Sequence, residues 1–358
     1  MRRPPEPYAP VLALLLTVVL GCEAGPAARA TPAPAPAPPP KEPAPSAAPR
    51  RPAPPELPGP DRAFDVTRLR FAGTERTQDW LLKQLQTATA VGFKPVGSTS
   101  TVFRTNLVGP INGAFKASTR ERPRGPVSEI AAYRVARCLG MSNVPPAVSR
   151  QFRASKLRAA LHPDDKASWP EIRDRIGVEE DGVVRGTMIY WITDLTELDL
   201  DEPEGIRRWS RWLAQDGELP ADRRPLAASV STMIAFDYLI GNFDRWSGGN
   251  ARGNPTATQV YARDNDIAFP PALSEKPHGK LIAHLLRVER FSRSFYARLR
   301  GLSPACVELE LSRDPAGAPE RILRPGRMGA LFDRRDTLIS HIDALAREHG
   351  IDPVLAFP

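Results

Sequence analysis

The sequence is poor in the residues that hold metals or staple small folds. Its 358 residues include three cysteines, Cys22, Cys138 and Cys306, too few and too far apart for a disulfide scaffold and with no C-x-x-C pair to bind zinc. The five histidines, His162, His278, His284, His341 and His349, form no H-E-x-x-H or similar ligand spacing, which excludes the common zinc hydrolase pattern. Aromatics are 7% of the chain and do not interleave with its 49 lysines and arginines, so the net charge of +8 forms no basic stripe. Nucleic acid is therefore not an expected partner. There is no internal repeat, no G-x-S-x-G elbow, no Walker G-x-x-x-x-G-K-[ST] and no G-x-G-x-x-G after a strand.

Proline is abundant and unevenly spread. Of 40 prolines, 19 fall in the first 60 residues, so folding is expected to begin after about residue 62. Arg2 and Arg3 precede an 11-residue apolar run from Val11 to Gly21, too short to span a bilayer but suited to an export signal over residues 1–22. Val19-Leu20-Gly21-Cys22 resembles a bacterial lipobox, which implies lipidation of Cys22 and anchoring in the cell envelope, at the outer membrane or the periplasmic face. A plain signal peptide cleaved nearby is the alternative. Residues 23–62 are rich in Pro and Ala, and proline's missing N–H and fixed φ favour an extended polyproline tether there.

Residues 63–194 read as mixed strand and helix. Residues 91–96, 102–107 and 113–118 are candidate strands separated by GSTST and VGPING, an antiparallel meander. A helix is expected after Pro126 and Ser128, with Ala132, Val135, Ala136 and Leu139 at helical spacing and Gly140 closing it. Residues 186–192 (GTMIYWI) read as a buried strand. From residue 195 to 358 helices dominate, including 226–240, 281–300 and 334–349, while 259–269 alternates like a strand. The expectation is an α+β chain with a sheet lobe and a mainly helical lobe.

Four polar features stand out from this frame. Lys116 lies in the third strand, where it serves either as a solubilising edge residue or as a cation for polyphosphate. Glu129 is expected in the first turn of the helix, beside its apolar stripe. It either complements the helix dipole or pairs with a buried cation such as Lys116. The segment DYLIGNFDRWSGGN places Asp244 and Asn250 in a glycine-containing loop after an apolar helix, where a carboxylate can accept a hydroxyl proton and an amide oxygen can reach a metal. Asp264-Asn265-Asp266 is either an exposed Asx-rich turn or a pair of hard oxygen ligands for Mg²⁺ or Mn²⁺.

The order of GAFKAS, SEIAAYRVARCLGMSNVPPAV, FDYLIGNFDR and DNDIAF resembles the atypical kinases, in particular the secretory-pathway (Golgi casein) kinases, and more distantly the HipA-type and phosphoinositide kinases. The resemblance covers roughly residues 90–275. It implies a two-lobed kinase fold with ATP in the cleft and transfer of its γ-phosphate to a hydroxyl of a protein or glycan acceptor. Lys116 would contact the α/β phosphates, Glu129 would orient Lys116, and Asp244 would be the catalytic base. Asp264, with Asp266 and Asn250, would hold Mg²⁺ or Mn²⁺. The loop Gly97-Ser98-Thr99-Ser100-Thr101 would cover the phosphates, and the segment after Ile192 would meet adenine. The chain departs from the pattern in three places. Trp246 follows D-R where many relatives have histidine, Asn250 stands one residue further from Asp244 than usual, and the phosphate loop has one glycine. Those departures leave a kinase-like scaffold without transfer as the alternative. Cys138, inside the helix, reads as core, and its pairing with Cys306 is not decided by the sequence.

Overall fold

A computed structural model describes residues 65–97, 101–247 and 249–358. The segments expected to be an export signal with Cys22 and a tether, and Ser98, Thr99 and Ser100 of the loop expected to cover phosphates, lie outside the described residues. Five strands, β1 (Ala90–Val96), β2 (Val102–Leu107), β3 (Asn112–Ala117), β4 (Ala147–Arg153) and β5 (Val183–Tyr190), form one sheet in the order β1-β2-β3-β5-β4. All neighbours are antiparallel. The meander expected from the turn residues is β1 to β3, shifted by no more than one residue at any end.

The sheet forms because its apolar side chains alternate. Phe93, Phe103, Phe115 and Phe152 meet on one face, with ring centroids 4.8 Å apart for Phe115 and Phe152 and 5.1 Å for Phe93 and Phe152. All four rings are buried, each contributing about 1.5–3 kcal/mol of transfer free energy. Over them pack Leu157 of α3 (Ala154–Ala159) and Trp169 and Ile172 of α4 (Trp169–Arg175).

Two further helices flank the sheet, α1 (Gln78–Thr87) and α2 (Gly125–Cys138). The start of α2 departs from expectation. It begins at Gly125 with Pro126 in its first turn and no side-chain cap, and Ser128, inside the helix, donates to the Ala268 carbonyl at 3.2 Å. Glu129 thus falls beyond the first turn. Nearly all of α2 is buried, and its apolar side chains join the core of the C-terminal helices rather than the phenylalanine cluster.

The rest of the chain is mainly helical: α5 (Pro203–Leu213), α6 (Arg224–Ile240), α7 (Glu275–Leu285), α8 (Arg293–Gly301), α9 (Pro304–Ser312), α10 (Pro319–Ile322), α11 (Pro325–His349) and α12 (Ile351–Val354). A two-stranded ribbon pairs β6 (Thr196–Glu197) with β7 (Arg252–Gly253). The expected helix over 281–300 is two helices. Residues 286–292 break it so that the Phe291 backbone can pair with Val354 and Phe357. The expected strand over 259–269 is also absent. Val260 makes one isolated bridge to Gly253, and the rest is irregular because its polar groups are used elsewhere. None of the described helices is long and apolar enough to cross a membrane.

Candidate functional site

Lys116 is not an edge residue. It pairs with Val102 on β2 and Thr187 on β5, in the middle of the sheet, and is 4% exposed. A buried ammonium needs anions, and three converge on it. Its Nζ lies 2.6 Å from Glu129 Oε1, 2.7 Å from Asp264 Oδ1 and 3.4 Å from Asp266 Oδ2. Burial opposes the Lys116 charge, but Glu129, Asp264 and Asp266 outweigh it and hold its pKa above that of a free lysine. Burial pushes the Glu129 carboxyl up although Lys116 faces it. It pushes Asp264 the same way, but there the Lys116 ion pair and hydrogen bond prevail and the pKa is lowered. Asp266 also takes Arg122 Nη1 at 3.2 Å. Arg245 and Arg263 also act on the Asp264 carboxylate and help to hold its pKa down.

The Asp264 segment is fixed from beneath by buried amides. Asn265, 1% exposed, donates through Nδ2 to Glu129 Oε2 at 3.3 Å and to the Ala262 carbonyl at 3.0 Å, and its Oδ1 accepts from Arg245 Nη2 at 2.6 Å. Arg245 is in turn held by Asp237 of α6, Nη2 to Oδ1 at 3.1 Å. Burial pushes the Asp237 carboxyl up to about 6 despite that arginine. Asn242 Nδ2 bonds the Asp264 carbonyl and Asn265 Oδ1, both at 3.3 Å. Asp264 itself has φ +61°, a left-handed conformation that Asp tolerates better than most residues and that marks a constrained position.

These contacts require α6 to stop at one point. Gly241 ends it with φ +70°, and Asn242 N–H bonds the Asp237 carbonyl at 2.8 Å, the usual glycine-terminated helix end. The turn delivers Asn242, Asp244 and Arg245 together. The Asp244 carboxylate accepts from the Ser247 hydroxyl, and Asn250 Nδ2 bonds the Asp244 carbonyl at 3.3 Å. Outside the loop, Gly249 N–H donates to Asp201 Oδ2 at 2.6 Å, and Trp246 lies between Trp209 and His284, each at 5.3 Å.

The structure therefore gathers Lys116, Glu129, Asp264 and Asp266 in direct contact. It links Asp244 and Asn250 to them through Asn242 and Arg245. Gly97 begins the loop expected to cover the phosphates, at φ +80° with open space beside it. At the other end, the Thr101 hydroxyl is buried without a partner, and the Thr101 carbonyl accepts from the Ala117 N–H at 3.1 Å. Among the described residues no three His, Cys, Asp or Glu side chains converge as a ready metal cage. The donors present are hard oxygens, and the Asp264 side chain is 42% exposed. Such a set suits Mg²⁺ or Mn²⁺ shared with phosphate oxygens.

Sequence reasoning missed Arg122, and although the gathering of Asn242 and Arg245 with Asp244 and Asn250 after an apolar helix was visible, neither the Asp237–Arg245 pairing nor the bonds made by Asn242 and Asn265 could be read from it. One signal was present: Asp237 is a carboxylate within the apolar run MIAFDYLI, and a charge in a core helix needs a partner.

No family model and no curated protein matches the sequence. Solved structures do match. The Golgi casein kinase is similar with a TM-score of 0.63 at 17% identity, covering 80% of this chain and 79% of that one. Its form with Mn/ADP bound gives 0.62 at 17% over 79% of each chain. The hydra Fam20 structure with sugar gives 0.60 at 19% identity, over 81% of this chain and 97% of that one. The antiparallel five-stranded sheet, the buried glutamate helix and the helices that follow thus make up the α+β, kinase-like fold of the Fam20 proteins.

Proposed function

We propose that the protein is an exported, membrane-tethered atypical kinase that transfers the γ-phosphate of ATP to a hydroxyl, on a protein Ser or Thr in preference to a sugar. One observation carries this reading: a single buried ammonium, Lys116, touches both Glu129 and Asp264, residues 13 and 148 positions away. In this reading the nucleotide lies between a sheet lobe, residues 63–194, and a helical lobe, residues 195–358. The segment after Ile192 meets adenine. Gly97, Ser98 and Thr99 offer backbone N–H groups to the phosphates, and Lys116, oriented by Glu129, contacts the α/β phosphates. Mg²⁺ or Mn²⁺, held by Asp264 with Asp266 and Asn250, would neutralise phosphate charge. Asp244 accepts the proton of the attacking hydroxyl, its carboxylate oriented by Ser247 and its backbone by Asn242. Arg245 and Asn265 keep the base loop and the Asp264 segment in register.

The oxidised Cys138–Cys306 pair described below supports the export reading, because such bonds persist outside reducing compartments. A second reading, a kinase-like binding or scaffold lipoprotein without transfer, is favoured by the two departures in the loop, Trp246 after Asp244-Arg245 and Asn250, whose side-chain amide bonds the Asp244 carbonyl.

The test is binding of ATP with Mn²⁺ to the full-length chain. Ligand at about a hundredfold over Kd adds ~2.7 kcal/mol, a melting rise of several degrees that should need the metal and vanish in Asp264→Ala. With an acceptor in hand, Asp244→Asn should cut turnover by about 10²-fold or more while leaving nucleotide binding intact. Absence of any metal-dependent shift with nucleotide would remove the kinase reading. Binding without turnover on any hydroxyl acceptor would favour the scaffold.

A further inference from the structure

Glu129 can orient Lys116 only while α2 stays seated against β3. The N-terminal half of α2 is buried and bonded, with Thr187 Oγ1 donating to the Pro126 carbonyl at 2.6 Å, but a cavity of about 1000 Å³ runs along it, lined by Pro126, Val127 and Ile130 and, from the sheet, Arg150 and Gly186. The C-terminal half carries the ionic and covalent ties. Arg137 Nε reaches Glu310 Oε2 of α9 at 2.8 Å, Arg134 Nη1 reaches the same oxygen at 3.4 Å, and Arg134 Nη2 lies 3.7 Å from Asp314. Arg137 Nη1 also pairs with Asp79 of α1 at 2.8 Å. Cys138, the last residue of α2, is bonded to Cys306 of α9, Cα to Cα 6.2 Å.

Arg134, Arg137, Glu310 and Asp314 are each no more than 3% exposed. Burying such charges costs several kcal/mol per ion, and an apolar layer of the same volume often holds two helices at least as well. What an ion cluster adds is geometry. Apolar faces slide over one another, whereas guanidinium groups that share one carboxylate oxygen fit in one register.

We propose that the Arg134–Arg137–Glu310 cluster and the Cys138–Cys306 bond are positioning elements for the phosphate-binding pair, locking α2 in the register in which Glu129 meets Lys116. Opening the disulfide then weakens nucleotide binding. The inference rests on the kinase reading of Lys116 and Glu129. The step is ordinary exchange: a dithiol's thiolate attacks the half-buried Cys306 sulfur, and its second thiol resolves the mixed disulfide. Two electrons and two protons pass to Cys138 and Cys306, and the dithiol leaves as a disulfide.

The test uses the full-length chain and Mn²⁺ with ADP, which binds without turnover. Oxidised protein, protein reduced in place with dithiothreitol, Glu310→Gln and the double variant Cys138→Ser/Cys306→Ser are compared, each with and without Glu129→Gln. Reduction should speed amide exchange over residues 126–138 by about tenfold and weaken Mn–ADP binding by a similar factor. In the Glu129→Gln background neither reduction nor Glu310→Gln should weaken binding further, a non-additivity that general loss of stability does not produce. Equal losses in both backgrounds, or unchanged binding on reduction, would overturn the proposal. If oxidised wild type binds no Mn–ADP, the kinase reading fails on its own. The clamp is then judged by exchange, and unchanged protection of residues 113–117 and 126–138 on reduction would overturn it.

Discussion

Arg245 is the residue on which most of the hidden wiring depends. Its guanidinium is fully buried, and it joins Asp237 in α6 to Asn265 beside Asp264. Arg245→Met would leave Asp237 as an unpaired buried carboxylate and should cost about 3–5 kcal/mol, measured by chemical denaturation. Asp237→Leu in the same chain should return much of that loss, because both charges are then removed. At this scale the sequence marked Lys116 on a strand, Glu129 beside an apolar stripe, Asp244 in a glycine-containing loop after an apolar helix, and Asp264 in a pair of close carboxylates. Arg122 and Asn265 did not. Nothing local to the charged stretch RERPRG (residues 120–125) or to D-N-D distinguishes a surface arginine from one on Asp266, or a turn asparagine from one that donates to a carboxylate 136 positions earlier.

The elements divide in the same way. β1 to β3, β5 and α6 were legible because turn residues and period-two or continuous apolar runs are short-range signals. The split between α7 and α8 was not, since it is decided by backbone pairing of Phe291 with a segment over sixty residues away. Alternation in 259–269 suggested a strand, but its polar groups are drawn into the Asn242, Asn143 and Arg245 contacts, and tertiary bonding overrode local pattern. One element-scale prediction concerns α7. Burial lowers the His284 pKa from 6.5 to about 4, so the unfolded chain takes up a proton before the folded one does. Stability should therefore fall as pH drops from about 6.5 towards 4, and His284→Phe should flatten that part of the profile. Thermal melts of the two proteins, followed by tryptophan fluorescence from the Trp209–Trp246 pair, would show the difference.

At the scale of the whole molecule, the Cys138–Cys306 bond closes a loop across 168 residues. Restricting the unfolded chain over such a span is worth about 2–5 kcal/mol. Calorimetry of the full-length chain with and without reductant should show a melting temperature several degrees lower once the bond is open, and an unchanged value would mean that the charge cluster holds α2 and α9 together alone. The pairing itself could not be read from sequence, because it is decided by where α9 packs and not by the spacing of cysteines.

That bond also has a direction in time. A chain made only as far as residue 300 already has the sheet, Lys116, Glu129 and both loop aspartates, yet Cys138 still lacks its partner. Only when α9 has been synthesised and has met an oxidant can the cross-link close. It is a record, written in one covalent bond, that two segments made 168 residues apart have met in the same place.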